Sequence, residues 1–148
     1  MSDYSRILAI DLGEKRVGLA VSDPLGSFAV GLETFELQPN KPQQSKTALL
    51  DQIAVYCKQY SVSRIVLGLP VSMDGQEHHA AQKVRDFAES LNAVSDCPTE
   101  FVDERLTSVL AHQTLKAQGI KPSRNKGLVD QAAACRILQD YLDKKNRT

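Results

Sequence analysis

The apolar positions of this chain change their period several times, and each change marks an element. Ile7-Leu8-Ala9-Ile10-Asp11-Leu12 is followed by Gly13-Glu14-Lys15-Arg16 and then by a second apolar run, Val17-Gly18-Leu19-Ala20-Val21-Ser22, which together predict a β-hairpin. Asp23-Pro24-Leu25-Gly26 is turn chemistry. From Phe28 to Leu37, Phe28, Val30, Leu32 and Thr34 alternate on one side, predicting a third, antiparallel strand. Pro39-Asn40-Lys41-Pro42 breaks the sheet pattern, and Leu49, Ile53, Tyr56 or Cys57, and Tyr60 then recur at helical spacing.

Arg64-Ile65-Val66-Leu67-Gly68-Leu69-Pro70 is almost continuously apolar, as expected of a parallel strand covered on both faces. From Glu77 onward, Ala80, Val84, Phe87, Ala88 and Leu91 form one helical stripe, which Ser95-Asp96-Cys97-Pro98 ends before Thr99-Glu100-Phe101-Val102-Asp103 extends again. Thr107 or Ser108 can cap a further helix, with Gly119 placed to end it and Pro122 to block its continuation. Asp130 to Leu142 reads as a last helix. The order βββαβαβαα, without repeats, low-complexity tracts or composition shifts, predicts one domain over residues 1–148. Its expected architecture is a mixed five-stranded α/β sheet with helices on both faces.

A chain of 148 residues buries about two-thirds of its unfolded surface in a single core and needs no staples. The three cysteines, Cys57, Cys97 and Cys135, are odd in number and widely spaced, so neither a disulfide framework nor a zinc site is indicated, and a reducing cytoplasm is expected. No apolar run approaches the ~20 residues of a membrane span, so no membrane partner is expected. Lys and Arg together number 18, as do Asp and Glu, and with no net charge any nucleic-acid partner must be met by a local patch.

Three carboxylates stand where the pattern predicts an apolar residue or a strand end: Asp11, Glu104 and Asp130. Burying even a neutral polar group unpaired costs roughly 2–7 kcal/mol, so a carboxylate closing an apolar strand should bind something. Glu104 closes the fifth strand beside Asp103; neighbours on a strand face opposite sides, and Glu104 is the better candidate to look toward Asp11. Asp130 shares a stripe with Ala133, Ala134, Ile137, Leu138 and Tyr141, which turns it toward the sheet. Converging carboxylates repel one another unless a cation is present, and a hard divalent ion such as Mg²⁺ or Mn²⁺ prefers such all-oxygen ligands. Phosphodiester hydrolysis is the chemistry this suggests.

Each acid also has a plainer reading. Asp11 can accept backbone N–H bonds from the Gly13 turn, Asp130 can complement a helix dipole, and Glu104 can pair with Arg105. The hairpin turn Gly13-Glu14-Lys15-Arg16-Val17-Gly18 could offer N–H groups and Lys15 to a phosphate, although turns use glycine for positive φ in any case. Leu69 to Gly75 could be a rim loop at a strand's carboxyl end. Residues 119–127 form a basic, breaker-rich segment suited to a phosphate backbone, and Lys144, Lys145 and Arg147 a basic tail. His78 and His79 project to different helix faces, and no Gly-x-Ser-x-Gly elbow supports a serine nucleophile.

Four segments in order, Asp11-Leu12-Gly13-Glu14-Lys15-Arg16-Val17-Gly18-Leu19-Ala20, Val66-Leu67-Gly68-Leu69-Pro70 with Met73-Asp74-Gly75, Asp103-Glu104-Arg105-Leu106-Thr107, and Lys126-Gly127-Leu128-Val129-Asp130, resemble the YqgF/RuvX family of RNase H-like proteins. The likeness runs from Ile7 to Tyr141, departing at Thr107-Ser108, where the family pattern is Ser-Thr. The resemblance implies an RNase H-like fold, a cytoplasmic location and divalent-metal nuclease chemistry at Asp11, Glu104 and Asp130. It further implies a role in 5′-end maturation of 16S ribosomal RNA, or resolution of Holliday junctions. Lys15, Arg105 and Lys126 are then expected to contact phosphates of structured RNA or branched DNA, in a monomer or weak homodimer. Two competing expectations are a nucleic-acid-binding module that cuts nothing, and nucleotide binding, since Asp-x-Gly before a glycine hairpin also opens actin-like ATPases.

Overall fold

Alternate residues of the first strand face opposite layers: Leu8 and Ile10 enter one apolar cluster, Ile7 and Ala9 another. The computed structural model describes residues 5–72, 74–104 and 126–146, and for 126–130 the backbone only. Strands β1 (Arg6–Leu12), β2 (Arg16–Ser22) and β3 (Ala29–Glu36) lead into helix α1 (Pro42–Gln59), strand β4 (Val62–Leu69), helix α2 (His79–Val94), strand β5 (Thr99–Asp103) and helix α3 (Lys126–Asn146). The five strands lie in the order β3-β2-β1-β4-β5. The first three pair antiparallel, and β4 joins β1 and β5 in parallel. The expected mixed five-stranded sheet is therefore present; the helix expected after Thr107 lies outside the described residues.

One layer packs Leu8, Ile10, Leu19, Ile65 and Leu67 against Leu49 and Ile53 of α1 and Val84, Phe87 and Leu91 of α2. The other packs Ile7, Ala9, Ala20 and Val66 against Ala134, Ile137, Leu138 and Leu142 of α3. Small residues on both sides of this second contact let α3 approach the sheet closely. Helices thus cover both faces. None of the described helices is long and apolar enough to cross a membrane.

Three local expectations differ from the structure. In β3 the pairing shifts between Leu19 and Ala20, leaving Leu32 as an extra residue between Gly31 and Glu33. One inserted residue reverses the facing of everything beyond it, so Phe28, Val30, Leu32 and Thr34 do not share a face, and Phe28 and Val30 stay exposed. On α2 the buried first-turn residue is Ala81, and Ala80 is exposed, because spacings of three and four both suit the stripe that follows. The last helix begins at Lys126, a turn before Asp130.

Candidate metal and nucleic-acid site

Asp11 continues the Ile7, Ala9 row of β1 and therefore belongs to the face under α3. Its antiparallel partner is Gly18, whose own partner on β3 is Thr34. Gln131 of α3 donates from Nε2 to Thr34 Oγ1 at 3.3 Å, which sets the start of α3 over this end of the sheet. The backbone carrying Asp130 immediately precedes Gln131. The side chains of Asp130 and Lys126 lie outside the described residues, as does the whole of Arg105.

Glu104 follows β5, and its N–H donates to the Leu69 carbonyl at 3.1 Å, carrying the ladder one residue past the strand. Val102, two residues earlier, packs in the cluster under α3, so the strand period gives Glu104 that face too, while Asp103 is exposed. The Glu104 carboxyl turns back across β4 over Gly68, where a Cβ would stand 2.5 Å from its Oε1. There it hydrogen-bonds Asp11. Two acids from separate strands thus meet at the carboxyl ends of the parallel strands, the end at which open sheets of this kind bind ligands.

Their contact changes the chemistry of Glu104. Burial, the hydrogen bond to Asp11, and the charges of Asp11 and Asp103 push the Glu104 carboxyl up to about 9, in that order of importance. At neutral pH the Glu104 carboxyl therefore keeps its proton and donates to Asp11. Within the turn beyond Asp11, the Gly13 N–H bonds the Arg16 carbonyl at 2.9 Å. Among the described residues no group of three His, Cys, Asp or Glu could hold a metal ion, so the described part of the site is this pair of carboxyls.

The flanking loops are ordered by their own bonds. Lys15 is exposed in the β1–β2 turn beyond Asp11, and its carbonyl accepts from the Leu37 N–H at 2.8 Å, tying the turn to the end of β3. Gly13 is needed there for space, not for positive φ: a Cβ would lie 2.6 Å from the Arg16 carbonyl oxygen. In the loop after β4, Gly75 adopts φ 83°, its N–H reaches the Ser72 carbonyl at 2.8 Å, and the Asp74 carboxylate accepts from the Ser72 hydroxyl and the Gln76 N–H. The residue that sequence reasoning missed is Gly68, read as one more member of an apolar run. An isolated glycine in a buried strand is the signal that could have marked it.

Comparison with known proteins supplies the family. Residues 5–144 match the RuvX family, described as Holliday junction resolvase. A protein of Chloroflexus aurantiacus bearing the name "Putative pre-16S rRNA nuclease" is 44% identical over 137 residues, covering 93% of this chain and 86% of its own. A Bacteroides fragilis protein of the same name is 44% identical over 144 residues, covering 95% and 98%. Among solved structures, T. thermophilus RuvC in complex with Holliday junction substrate superposes with a TM-score of 0.62 over 96% of each chain at 15% identity, which establishes a common fold. With a family match spanning nearly the whole sequence and relatives at this identity, the chain belongs to the RuvX family.

Proposed function

We propose that this RuvX-family nuclease is a divalent-metal-dependent endonuclease that matures the 5′ end of pre-16S rRNA in the cytoplasm, acting as a single domain over residues 1–148 in a monomer or weak homodimer. The observation that carries the reading is the hydrogen-bonded pair of Asp11 and Glu104, drawn from separate strands to one end of the sheet. Such a pair costs stability as it stands, and a hard dication would relieve it by accepting both oxygens and releasing the shared proton. The donor set therefore fits Mg²⁺ or Mn²⁺, with Asp130 as the third ligand. When bound, such an ion supplies an activated water and stabilises charge on the leaving oxygen.

The chain's own residues have separable parts in this reading. Asp11 and Glu104 fix the ligand oxygens from rigid strand ends. Lys15, Arg105 and Lys126 hold phosphates on either side of the scissile bond. With no net charge on the protein to add a diffuse attraction, those few bases should set the salt dependence. Three phosphate contacts correspond to a slope of about −2 to −3 in log K against log salt.

The test is cleavage of a precursor 16S 5′ fragment with Mn²⁺ by the parent protein and by Asp11→Asn. Cutting at the mature end that the variant loses is expected; equal cutting by both would refute the assignment. A second reading, resolution of branched DNA, is favoured by the description of the matching family. Competition between the RNA and a four-way DNA junction for the same enzyme separates the two, and the RNA reading predicts preference for the precursor fragment. A binding module that cuts nothing would complement a deletion strain equally well as an Asp11→Asn/Asp130→Asn double variant.

A further inference from the structure

Gly68 pairs with Val102 near the carboxyl end of β4, in a stretch that is buried from Ile65 to Leu69. Glycine weakens a strand interior, so its presence there calls for a reason. Backbone torsion is not that reason, since the glycines with positive φ among the described residues are Gly26 and Gly75. Space is. A Cβ at position 68 would lie 2.5 Å from Glu104 Oε1, 2.8 Å from Glu104 Cδ and 2.6 Å from Ile137 Cδ1, all closer than two non-bonded heavy atoms can stand.

We infer that Gly68 is a positioning residue for the acidic site: its bare backbone is the floor across which the Glu104 carboxyl lies to reach Asp11. The inference rests on the proposed metal site and adds to it the residue that assembles that site. Which neighbour would yield to a side chain at 68 follows from packing. Ile137 is fully buried among Ala134, Leu138 and Val66, in a layer with no slack. Glu104 is only partly buried, at the open end of the sheet, and can swing outward. Adding one methyl group should therefore separate the two acids before it disturbs the fold.

The test measures Mn²⁺ binding by calorimetry on the full chain, using parent, Gly68→Ala and Gly68→Ala/Ile137→Val. The double variant removes the Cδ1 contact and leaves only the one with Glu104. At least tenfold weaker Mn²⁺ binding is expected in both variants, with kcat for the RNA fragment falling in step and KM changing less than twofold. A role confined to packing predicts the opposite: the double variant would bind Mn²⁺ within twofold of the parent, and the inference would be overturned. Asp11→Asn, run alongside, tells the two levels apart. If Asp11→Asn loses Mn²⁺ and the double variant keeps it, the positioning role alone is wrong. Normal Mn²⁺ binding by Asp11→Asn would remove the underlying site and this inference with it.

Discussion

On the face covered by α1 and α2 the strands present Leu8, Ile10, Leu19, Ile65 and Leu67, whereas on the face covered by α3 they present Ile7, Ala9, Ala20 and Val66, and then Asp11. The first face is large-on-large packing, closed to water along the strands. The second is built from smaller side chains and ends in two acids with glycine at the neighbouring strand positions, Gly18 and Gly68. One sheet thereby presents two different faces: the larger apolar cluster lies on one side, and the other side ends in acids.

This division can be broken from either side. Asp11→Asn should lower cleavage more than ~100-fold, since even outer-shell partners of metal ligands typically cost 10–100-fold. The same variant should leave the urea midpoint unchanged or raised, because the amide oxygen of Asn can still accept the Glu104 hydrogen bond while a partly buried acid is removed. Leu67→Ala on the opposite face should reverse the pattern, with a loss of about 2–5 kcal/mol in unfolding free energy and unaltered cleavage per folded molecule. A Leu67→Ala protein that remained stable but lost activity would show that the two faces do not act separately.

A pH series sharpens the comparison further. The Glu104 carboxyl rises from 4.5 to about 9 on folding, so the folded state holds this proton more tightly than the unfolded chain does. The stabilisation is complete below the unfolded value and disappears as pH rises through the folded one, so metal-free protein should lose stability progressively from pH 4.5 to about 9. Glu104→Gln should flatten that slope in urea titrations, and saturating Mn²⁺ should flatten it as well. At neutral pH, Mn²⁺ binding should release a proton, seen as a dependence of calorimetric heat on buffer ionisation enthalpy.

The smallest effect is expected where α3 meets the start of β3. Gln139 accepts from the Ala29 N–H at 3.0 Å and donates to the Ser27 carbonyl at 2.9 Å. Gln139→Ala should cost about 0.5–1.5 kcal/mol in denaturant unfolding, with no change in Mn²⁺ affinity, because these bonds lie away from the acids.

Much of this was legible in the sequence because it follows from local periodicity. The hairpin, the apolar β4 and the long helices each carry their period over enough residues to decide element type. Asp11 stood out for the same reason, as a charge that violated its own strand's pattern. Features that depend on the partner strand were not legible. The β3 bulge is an event of pairing, invisible in the alternation of β3 alone, and it reverses the facing of Phe28 and Val30 relative to Thr34. The role of Gly68 depends on where Glu104 folds, which the spacing between them does not reveal. The Cys57 and Cys97 thiols, distant in the chain and both free, meet in the fold, and burial together with Cys97 pushes Cys57 up to about 12.

Anomalous diffraction from a crystal soaked in Mn²⁺ tests the central claim most directly. The account predicts a peak beside the carboxyl groups of Asp11 and Glu104, within coordination distance of both side chains. Density for Mn²⁺ elsewhere, with Asp11 and Glu104 still hydrogen-bonded to one another in an actively cleaving preparation, would contradict it.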